Sequence, residues 1–475
     1  MERFDLAVIG AGTAGLVSSA VSVGIGARTA LIERARFGGE CLWTGCVPSK
    51  TMIRSAAVLD LARRASDFGI DVGSARVDFG AVMDRVQRVI AGIEPHDSAR
   101  RFRGLGVDVT EGEARFVSPE AVEVDGRRIH SRRWIVATGS RTRLPDLPGL
   151  AEAEPLTAEN VWDLRELPES MVVLGAGPIA VEIGQAFARF GSRVTLIGQG
   201  SRLLEHEDAE ITAVLLRVLE REGVEVRLET RATSVRVENG VRVVTVRGPS
   251  GDAEVRAAAL FVATGRSPNT EGFGLEEIGV ETGKDGIVTD AGLRSSLDNV
   301  WAAGDVVGPF RFTHVADYQA RLAVPNALFP VRRKADYRMV PWCTYSEPEL
   351  ARVGLTEAEA RDEWGDGAGV YRFDHAGLDR ALCDGTAEGL TKLVTDPKGR
   401  LVGAHIVGAR AGDSIHEAVL AVRHRLKLSD LGGMIHIYPT YPESIKRGAD
   451  AFLREKFGGP VARRVADLAV RWLVR

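Results

Sequence analysis

The hydrophobic pattern of the first 35 residues predicts a strand, a glycine turn and a helix. An apolar run at residues 5–9 ends in the sequence GAGTAG, and apolar residues at helical spacing follow through Val23. The glycines of a G-x-G-x-x-G turn let the backbone approach a pyrophosphate at a helix N-terminus. A second apolar run, at residues 29–32, ends in Glu33, which is placed to accept a hydrogen bond from an adenosine ribose hydroxyl. These features predict a dinucleotide-binding unit.

The same order of elements recurs after residue 170. Apolar residues 171–174 lead into GAGPIA, a helical pattern follows, and a strand is predicted at residues 193–197. Each fingerprint is later closed by an Ala-Thr-Gly segment, and two such fingerprints are far rarer by chance than one. We therefore predict an α/β fold with two Rossmann-like dinucleotide-binding domains. The residues assigned to the two cofactor sites from these segments are Gly10, Gly12, Gly15, Thr138, Gly139, Gly175, Gly177, Ala180 and Gly265.

Two of the four cysteines, Cys41 and Cys46, follow the first fingerprint. Gly45 lets the backbone between them deform, so their Cα atoms can approach within ~7 Å, close enough for a disulfide. Pro48 and the apolar residues after it predict a helix, whose N-terminus would stabilise nearby thiolates. Two packed thiols are the alternative. The two dinucleotide sites favour a redox disulfide that receives electrons from one cofactor through the other.

The composition of the chain mainly excludes certain classes of protein. The 475 residues are 45% hydrophobic and 27% charged, which suits a globular chain of two to four domains. The net charge of −4 gives no support for nucleic-acid binding. Neither a signal-peptide pattern nor an apolar run of ~18 residues is present, so we expect no transmembrane segment. A disulfide that cycles needs a reducing compartment, and we predict a cytoplasmic protein.

The stretch GGECLWTGCVPSK, which ends at Lys50, resembles the active site of the FAD-dependent pyridine nucleotide–disulfide oxidoreductases. Lipoamide dehydrogenase, glutathione reductase and mercuric reductase share its pattern of Gly-Gly, one residue, Cys, four residues, Cys, aliphatic, Pro-Ser-Lys. The resemblance implies a homodimer in which NADPH or NADH reduces FAD, and FAD reduces a Cys41–Cys46 disulfide. Cys41 would exchange thiols with the substrate, and Cys46 would face the flavin.

The resemblance also implies residues around the flavin. Lys50 would pair with Glu182 of the second fingerprint beside flavin N5, where the carboxylate keeps a buried cation charged. Asp305 would hydrogen-bond the ribityl chain, and Gly39 would lie at the cofactor. His314 has two interpretations, a contact with the isoalloxazine or a capping or core histidine.

The nicotinamide preference depends on the end of the strand at residues 193–197. Gly198 stands where an acid would bind the NAD ribose, which removes repulsion against a 2′-phosphate, and Arg202 can pair with that phosphate. We therefore favour NADPH. If Arg202 is only a solvated loop residue, NADH works as well.

With the resemblance, the chain divides into four segments. Residues 107–130 alternate valine with charge and predict a small antiparallel sheet within the first of them. The segments are residues 1–150, an FAD-binding domain (first part); 151–270, an NAD(P)-binding domain; 271–340, a return to the FAD-binding domain; and 341–475, a C-terminal α+β dimerisation domain.

The proton path out of the cysteines departs from the family pattern. Disulfide-reducing relatives carry a His directly before Pro-Thr, oriented by a Glu five positions later and acting across the dimer interface. Here Glu443 is in register, but the base position holds Tyr438, whose ordinary pKa of ~10 makes it a poor base. His436 would substitute only if the backbone turned, so both residues remain candidates.

The acceptor stays open between a low-molecular-weight disulfide, a metal ion and a quinone-like oxidant. Mercuric reductase also has a Tyr at this position, yet it hands mercury inward through a C-terminal cysteine pair, and the last cysteine here is Cys383. A low-turnover redox-sensing flavoprotein is a further alternative. No resident metal is expected. The tail from Pro460 is basic and amphipathic, which fits packing on the dimer or contact with a membrane surface.

Overall fold

The computed structural model describes residues 3–473, with the side chains of 460–462 outside that description. These residues form two compact units, each built from separate stretches of the chain. Unit 1 comprises Met1–Ser55, Arg76–Pro168 and Ala259–Asp336, and unit 2 comprises Ala56–Ala75, Glu169–Ala258 and Tyr337–Arg475. The division into four segments drawn from the sequence remains a prediction.

A parallel sheet of five strands forms the centre of unit 1. Four of its strands are short and largely apolar, as expected where both faces of a sheet are covered, and the fifth, Asp108–Glu111, is a more polar edge strand. The helices Thr13–Gly24 and Thr313–Leu328 pack against it and against each other. In spatial order the strands are Val300–Ala302, Trp134–Val136, Leu6–Ile9, Thr29–Glu33 and Asp108–Glu111. The strand Val300–Ala302 thus returns to a sheet that the N-terminal residues begin.

The prediction of an antiparallel sheet over residues 107–130 is partly wrong. Ala114–Ser118, Ala121–Val124 and Arg127–Ser131 do pair antiparallel. Asp108–Glu111 instead runs parallel to Thr29–Glu33 at the edge of the five-stranded sheet. Alternation of apolar and charged residues indicates a strand with one face buried. An edge strand of a parallel sheet shows this pattern as readily as a strand of an antiparallel hairpin does.

The remaining elements of unit 1 connect these sheets. Its other helices are Gly39–Trp43, Cys46–Arg63, which continues beyond the unit, Phe79–Asp97 and Ala99–Gly104. Its other strands are Arg3–Phe4, Ser140–Thr142, Ala259–Val262, Arg266–Pro268, Thr282–Gly283 and Gly286–Ile287.

Unit 2 contains a second set of parallel strands and an antiparallel region. Ser170–Leu174, Arg193–Ile197 and Glu225–Arg227 pair in parallel, beside the helices Pro178–Phe190 and Ala209–Arg221. A three-stranded antiparallel sheet follows, made of Arg231–Glu238, Val241–Gly248 and Gly251–Ala257.

The C-terminal part of unit 2 is an antiparallel sheet covered by helices. Its strand order is Pro341–Thr344, Glu349–Gly354, Leu401–Gly408, Leu390–Thr395 and Gly369–Asp374. The predicted α/β fold, with two parallel dinucleotide-type units and an α+β C-terminal part, is confirmed. Among the described residues no helix is long and apolar enough to cross a membrane. The helices of this part are Glu357–Trp364, Asp379–Cys383, Ala411–Ser414, His416–His424, Leu428–Gly432, Glu443–Gly458 and Pro460–Leu473.

Candidate active site

The glycines of the first fingerprint stand where side chains would collide with backbone. A Cβ on Gly15 would lie 1.7 Å from the carbonyl oxygen of Gly10. A Cβ on Gly39, whose φ is +58°, would lie 2.6 Å from the Cα of Gly12. Because no side chain intervenes, the segment that carries the cysteines begins directly against the fingerprint turn. This backbone cradle at the start of the Thr13–Gly24 helix suits a pyrophosphate.

Glu33 closes the same turn from the neighbouring strand. One oxygen of its carboxylate accepts the backbone N–H of Ala11 at 2.6 Å, and the other accepts that of Ala35 at 2.8 Å. The two bonds hold the carboxylate at the C-terminal end of the strand, the position from which an acid reaches a ribose hydroxyl.

The two Ala-Thr-Gly segments meet in unit 1. Thr138 donates its hydroxyl to the carbonyl of Asn269 at 2.6 Å, and the N–H of Asn269 donates to the carbonyl of Gly139 at 2.9 Å. Gly265 accepts the N–H of Arg143 at 2.9 Å. Both segments then continue into a two-stranded antiparallel ladder, Ser140–Thr142 with Arg266–Pro268. Segments distant in sequence thus form one wall of the site.

The two cysteines lie on consecutive helices. Cys41 is within the Gly39–Trp43 helix, and Cys46 is the first residue of the Cys46–Arg63 helix. Both are thiols outside any disulfide, and their side chains hydrogen-bond to each other. This bond and burial raise the pKa of the Cys41 thiol. In the reduced pair Cys41 therefore holds its proton beside the sulfur of Cys46.

A second helix N-terminus reaches Cys46. Its Sγ lies 3.4 Å from the hydroxyl oxygen of Thr313, the first residue of the Thr313–Leu328 helix. Helix N-termini stabilise negative charge, so a thiolate at Cys46 is favoured by its own helix and by this one. Sequence reasoning selected His314 and missed Thr313, although Thr313 stands where a helix begins. The ring of His314 stacks on that of Phe312, with centroids 5.3 Å apart.

Glu40, between Gly39 and Cys41, belongs to a partly buried network of charges that the sequence did not reveal. Its carboxylate is bonded to the guanidinium of Arg266. Burial raises its pKa to about 7, while Arg266 opposes the rise. Arg266 also donates to the hydroxyl of Ser140 at 2.8 Å, and Ser140 donates to Asp305 at 2.7 Å. The predicted flavin ligand Asp305 is thereby linked to the residue that precedes Cys41.

These groups satisfy the requirements of an FAD site. The glycine cradle leaves room for a pyrophosphate, and the carboxylate of Glu33 lies at its turn. Among the described residues, the Nη1 atom of Arg266 is buried without a hydrogen-bond partner. A buried guanidinium N–H without an acceptor is costly, and an anionic cofactor beside it would remove that cost.

In unit 2 the second fingerprint has the same local geometry. Gly177 caps the N-terminus of the Pro178–Phe190 helix, which contains the buried Ala180, and the N–H of Gly175 donates to the carbonyl of Ile197 at 2.8 Å. A Cβ on Gly198 would lie 2.7 Å from that of Ala176. The position that carries an acid in NAD sites thus has no room for one.

Two predicted site residues of unit 2 have backbone partners. Arg202 donates to the carbonyls of Glu205 at 3.1 Å and Glu207 at 3.3 Å, so its own loop positions it. Glu182 is buried and accepts the N–H of Tyr345 at 2.8 Å. Lys50 lies in the Cys46–Arg63 helix of unit 1, and its pairing with Glu182 remains a prediction.

The three residues predicted for proton transfer have separate partners. Tyr438 donates its hydroxyl to Asp379 at 2.5 Å, and this bond raises the pKa of Tyr438 above its ordinary value. The Nε2 atom of His436 lies 3.0 Å from a carboxylate oxygen of Glu417. Glu443, the third of these residues, is buried and accepts a hydrogen bond from the guanidinium of Arg447 at 3.0 Å. The structure therefore brings neither Tyr438 nor His436 to Glu443 as a hydrogen-bonded pair.

Comparison with known proteins agrees with this geometry. A family model described as pyridine nucleotide-disulphide oxidoreductase matches residues 4–320, and the dimerisation domain of the same family matches residues 340–449. The chain belongs to this family. It is an FAD-dependent, NAD(P)H-linked flavoprotein oxidoreductase, and the resemblance noted in the sequence is confirmed.

Its relatives include enzymes named for different substrates. A mercuric reductase of Staphylococcus aureus is 35% identical over 94% of this chain and 82% of the relative. A dihydrolipoyl dehydrogenase of Chlorobaculum tepidum is 34% identical over 94% of this chain and 96% of the relative. A solved copper(II) complex of the HOCl-induced flavoprotein disulfide reductase RclA from Escherichia coli superposes with a TM-score of 0.85 at 27% identity, covering 95% and 99% of the two chains.

Proposed function

We propose that this flavoprotein passes electrons from NADPH through FAD to Cys46, then to Cys41 and an external acceptor. The hydrogen bond between the two thiols supports this order most directly, because it keeps the proton on Cys41 and leaves negative charge to Cys46, which lies at the start of its helix and contacts Thr313. FAD, when bound, accepts a hydride from the nicotinamide and supplies the electron pair that opens a Cys41–Cys46 disulfide. Cys41 retains a proton in the reduced pair and is the thiol that meets the acceptor.

The residue at the proton-transfer position, Tyr438, favours some electron acceptors over others. An alkyl disulfide needs a proton for each thiol it releases, and the family obtains it from a His–Glu pair. Tyr438 holds its own proton more firmly than a free phenol does, because it donates to Asp379. We therefore favour an acceptor that takes electrons without a proton from this position, such as a thiophilic metal ion.

Reduction of a metal ion as substrate has further support in the relatives. One is named a mercuric reductase, and one solved relative is a copper(II) complex. A low-molecular-weight disulfide and a quinone-like oxidant remain the competing acceptors. We propose a homodimer, since the dimerisation domain is present, and place the enzyme in the cytoplasm, where NADPH is supplied.

An acceptor panel tests the proposal. The purified holoenzyme is supplied with NADPH and, in turn, Hg(II) in excess thiol, Cu(II) without added thiol, oxidised glutathione, lipoamide and a soluble quinone. We expect NADPH oxidation to depend on the metal ion and to remain slow with both disulfides. Faster turnover with a disulfide than with either metal ion would overturn the choice of acceptor and leave the electron path through Cys46 intact.

A further inference from the structure

The last helix, Pro460–Leu473, exposes a broad apolar face. Val465, Leu468, Trp472 and Leu473 follow the spacing i, i+3, i+7 and i+8, and they are 61%, 68%, 84% and 76% exposed. A helix of this length is marginal in water unless such a face is covered. The face therefore indicates a binding surface.

The rest of this helix is basic. From Arg463 to Leu473 it carries three arginines against one acid, Asp467, while the whole chain has a net charge of −4. Arg463, Arg464 and Arg471 are all exposed. Arginines that flank and oppose a face of tryptophan and leucine are typical of helices that lie in the plane of a lipid interface.

A second copy of the helix would complement it poorly. Contact through Val465, Leu468 and Trp472 would follow a coiled-coil seam, with Arg464 and Arg471 both at the flanking g position. In a parallel pair Arg464 would face Ala469, and in an antiparallel pair these arginines would face one another. Neither arrangement gives them an acidic partner, so the charges favour an anionic surface of another kind.

We propose that Pro460–Leu473 docks the enzyme on membranes that contain anionic phospholipids. The helix lies flat, with Leu468 and Trp472 in the acyl boundary and the arginines among the headgroups. Each basic residue near such a surface contributes about 1 kcal/mol. Docking would hold the flavoprotein at the membrane without a membrane span.

Vesicle sedimentation of the full-length holoenzyme tests the proposal. The wild type is expected to sediment with vesicles of phosphatidylcholine and phosphatidylglycerol, but not with phosphatidylcholine alone, and to be released by salt. The double variant Arg464→Glu/Arg471→Glu should bind the anionic vesicles at least tenfold more weakly, as should Leu468→Asn/Trp472→Asn. Turnover of each variant without vesicles reports that it is folded and should match the wild type.

The matched control changes the same charge elsewhere. Arg76 and Arg100 are exposed in unit 1, so Arg76→Glu/Arg100→Glu alters the net charge equally and should leave vesicle binding unchanged. If this control loses as much vesicle binding as Arg464→Glu/Arg471→Glu does, the loss depends on net charge and not on the helix, and the proposal is overturned. Failure of the wild type to sediment with anionic vesicles would also overturn the proposal. In that case, if light scattering shows that Leu468→Asn/Trp472→Asn forms a smaller assembly than the wild type, the apolar face binds a second copy of the chain.

Discussion

The Sγ atom of Cys46 lies 3.4 Å from the hydroxyl oxygen of Thr313, at the point where two helices begin. The contact joins a residue near the N-terminus of the chain to one more than 260 positions later. Thr313 also bonds the thiol of Cys41, so the choice of Cys46 as the thiolate depends on the bond between the two thiols, which keeps the proton on Cys41, and on the helix that begins at Cys46.

Replacing Thr313 with Val should make the Cys46 thiolate harder to form. A hydrogen bond to a charged group contributes ~1.5–3 kcal/mol, so its loss should raise the apparent pKa of the thiol by about one unit or more. The measurement is the pH dependence of alkylation of the anaerobically reduced enzyme. Thr313→Ser keeps the hydroxyl and should match the wild type; equal profiles for Val and wild type would contradict the contact.

Glu40→Gln should alter how stability depends on pH. The pKa of Glu40 is raised by burial to about 7, so the folded state binds a proton that the unfolded state releases above about pH 4.5. Its contribution is fully present below pH 4.5 and is lost as pH rises through 7, by about 3 kcal/mol in all. Denaturant unfolding at pH 5 and pH 8 should show this decline in the wild type and less of it in Glu40→Gln. The exposed Glu152→Gln is the control and should follow the wild type.

Tyr438→Phe should leave the metal-dependent turnover and its pH profile unchanged. The phenol is a hydrogen-bond donor to Asp379, so its removal takes away no base. Tyr438→His should raise turnover with oxidised glutathione, by ~100-fold if the new imidazole acts as a general acid. A large loss of metal-dependent turnover in Tyr438→Phe would assign the phenol a direct role in the reaction.

Arg202→Ala should weaken NADPH binding selectively. The carbonyls of Glu205 and Glu207 hold the guanidinium in its loop, and a charge-assisted bond to a 2′-phosphate is typically worth ~1.5–3 kcal/mol. We expect KM for NADPH to rise about tenfold or more, while KM for NADH stays the same. Equal changes with both nucleotides would show that Arg202 does not read the phosphate.

Much of the fold was predictable from local patterns. The strand, glycine turn and helix at each fingerprint depend on nearby residues, and so does the helix that begins at Cys46. The edge strand Asp108–Glu111 was misassigned because its partner, Thr29–Glu33, lies far away in sequence. A periodic pattern shows which face is buried but does not name the neighbouring strand.

The site was predictable only where its residues stand in a motif. One hydrogen-bonded network joins separate stretches of unit 1, and no sequence spacing predicts it; its members are Glu40, Arg266, Ser140 and Asp305. Thr313 was not predicted either, because its partner Cys46 is distant in sequence. The change from His to Tyr438 was visible in the sequence, whereas its bond to Asp379 depends on how distant residues fold together.

The most direct test of the electron path is the anaerobic spectrum of the enzyme reduced with one equivalent of NADPH. Cys46 beside FAD predicts a long-wavelength absorbance from a thiolate next to the flavin. Cys41→Ser should show this band before NADPH is added, because its Cys46 thiolate is already free of the disulfide and its flavin is oxidised, whereas Cys46→Ser should not show the band in either state. A band that survives in Cys46→Ser and disappears in Cys41→Ser would contradict the assignment of the two cysteines.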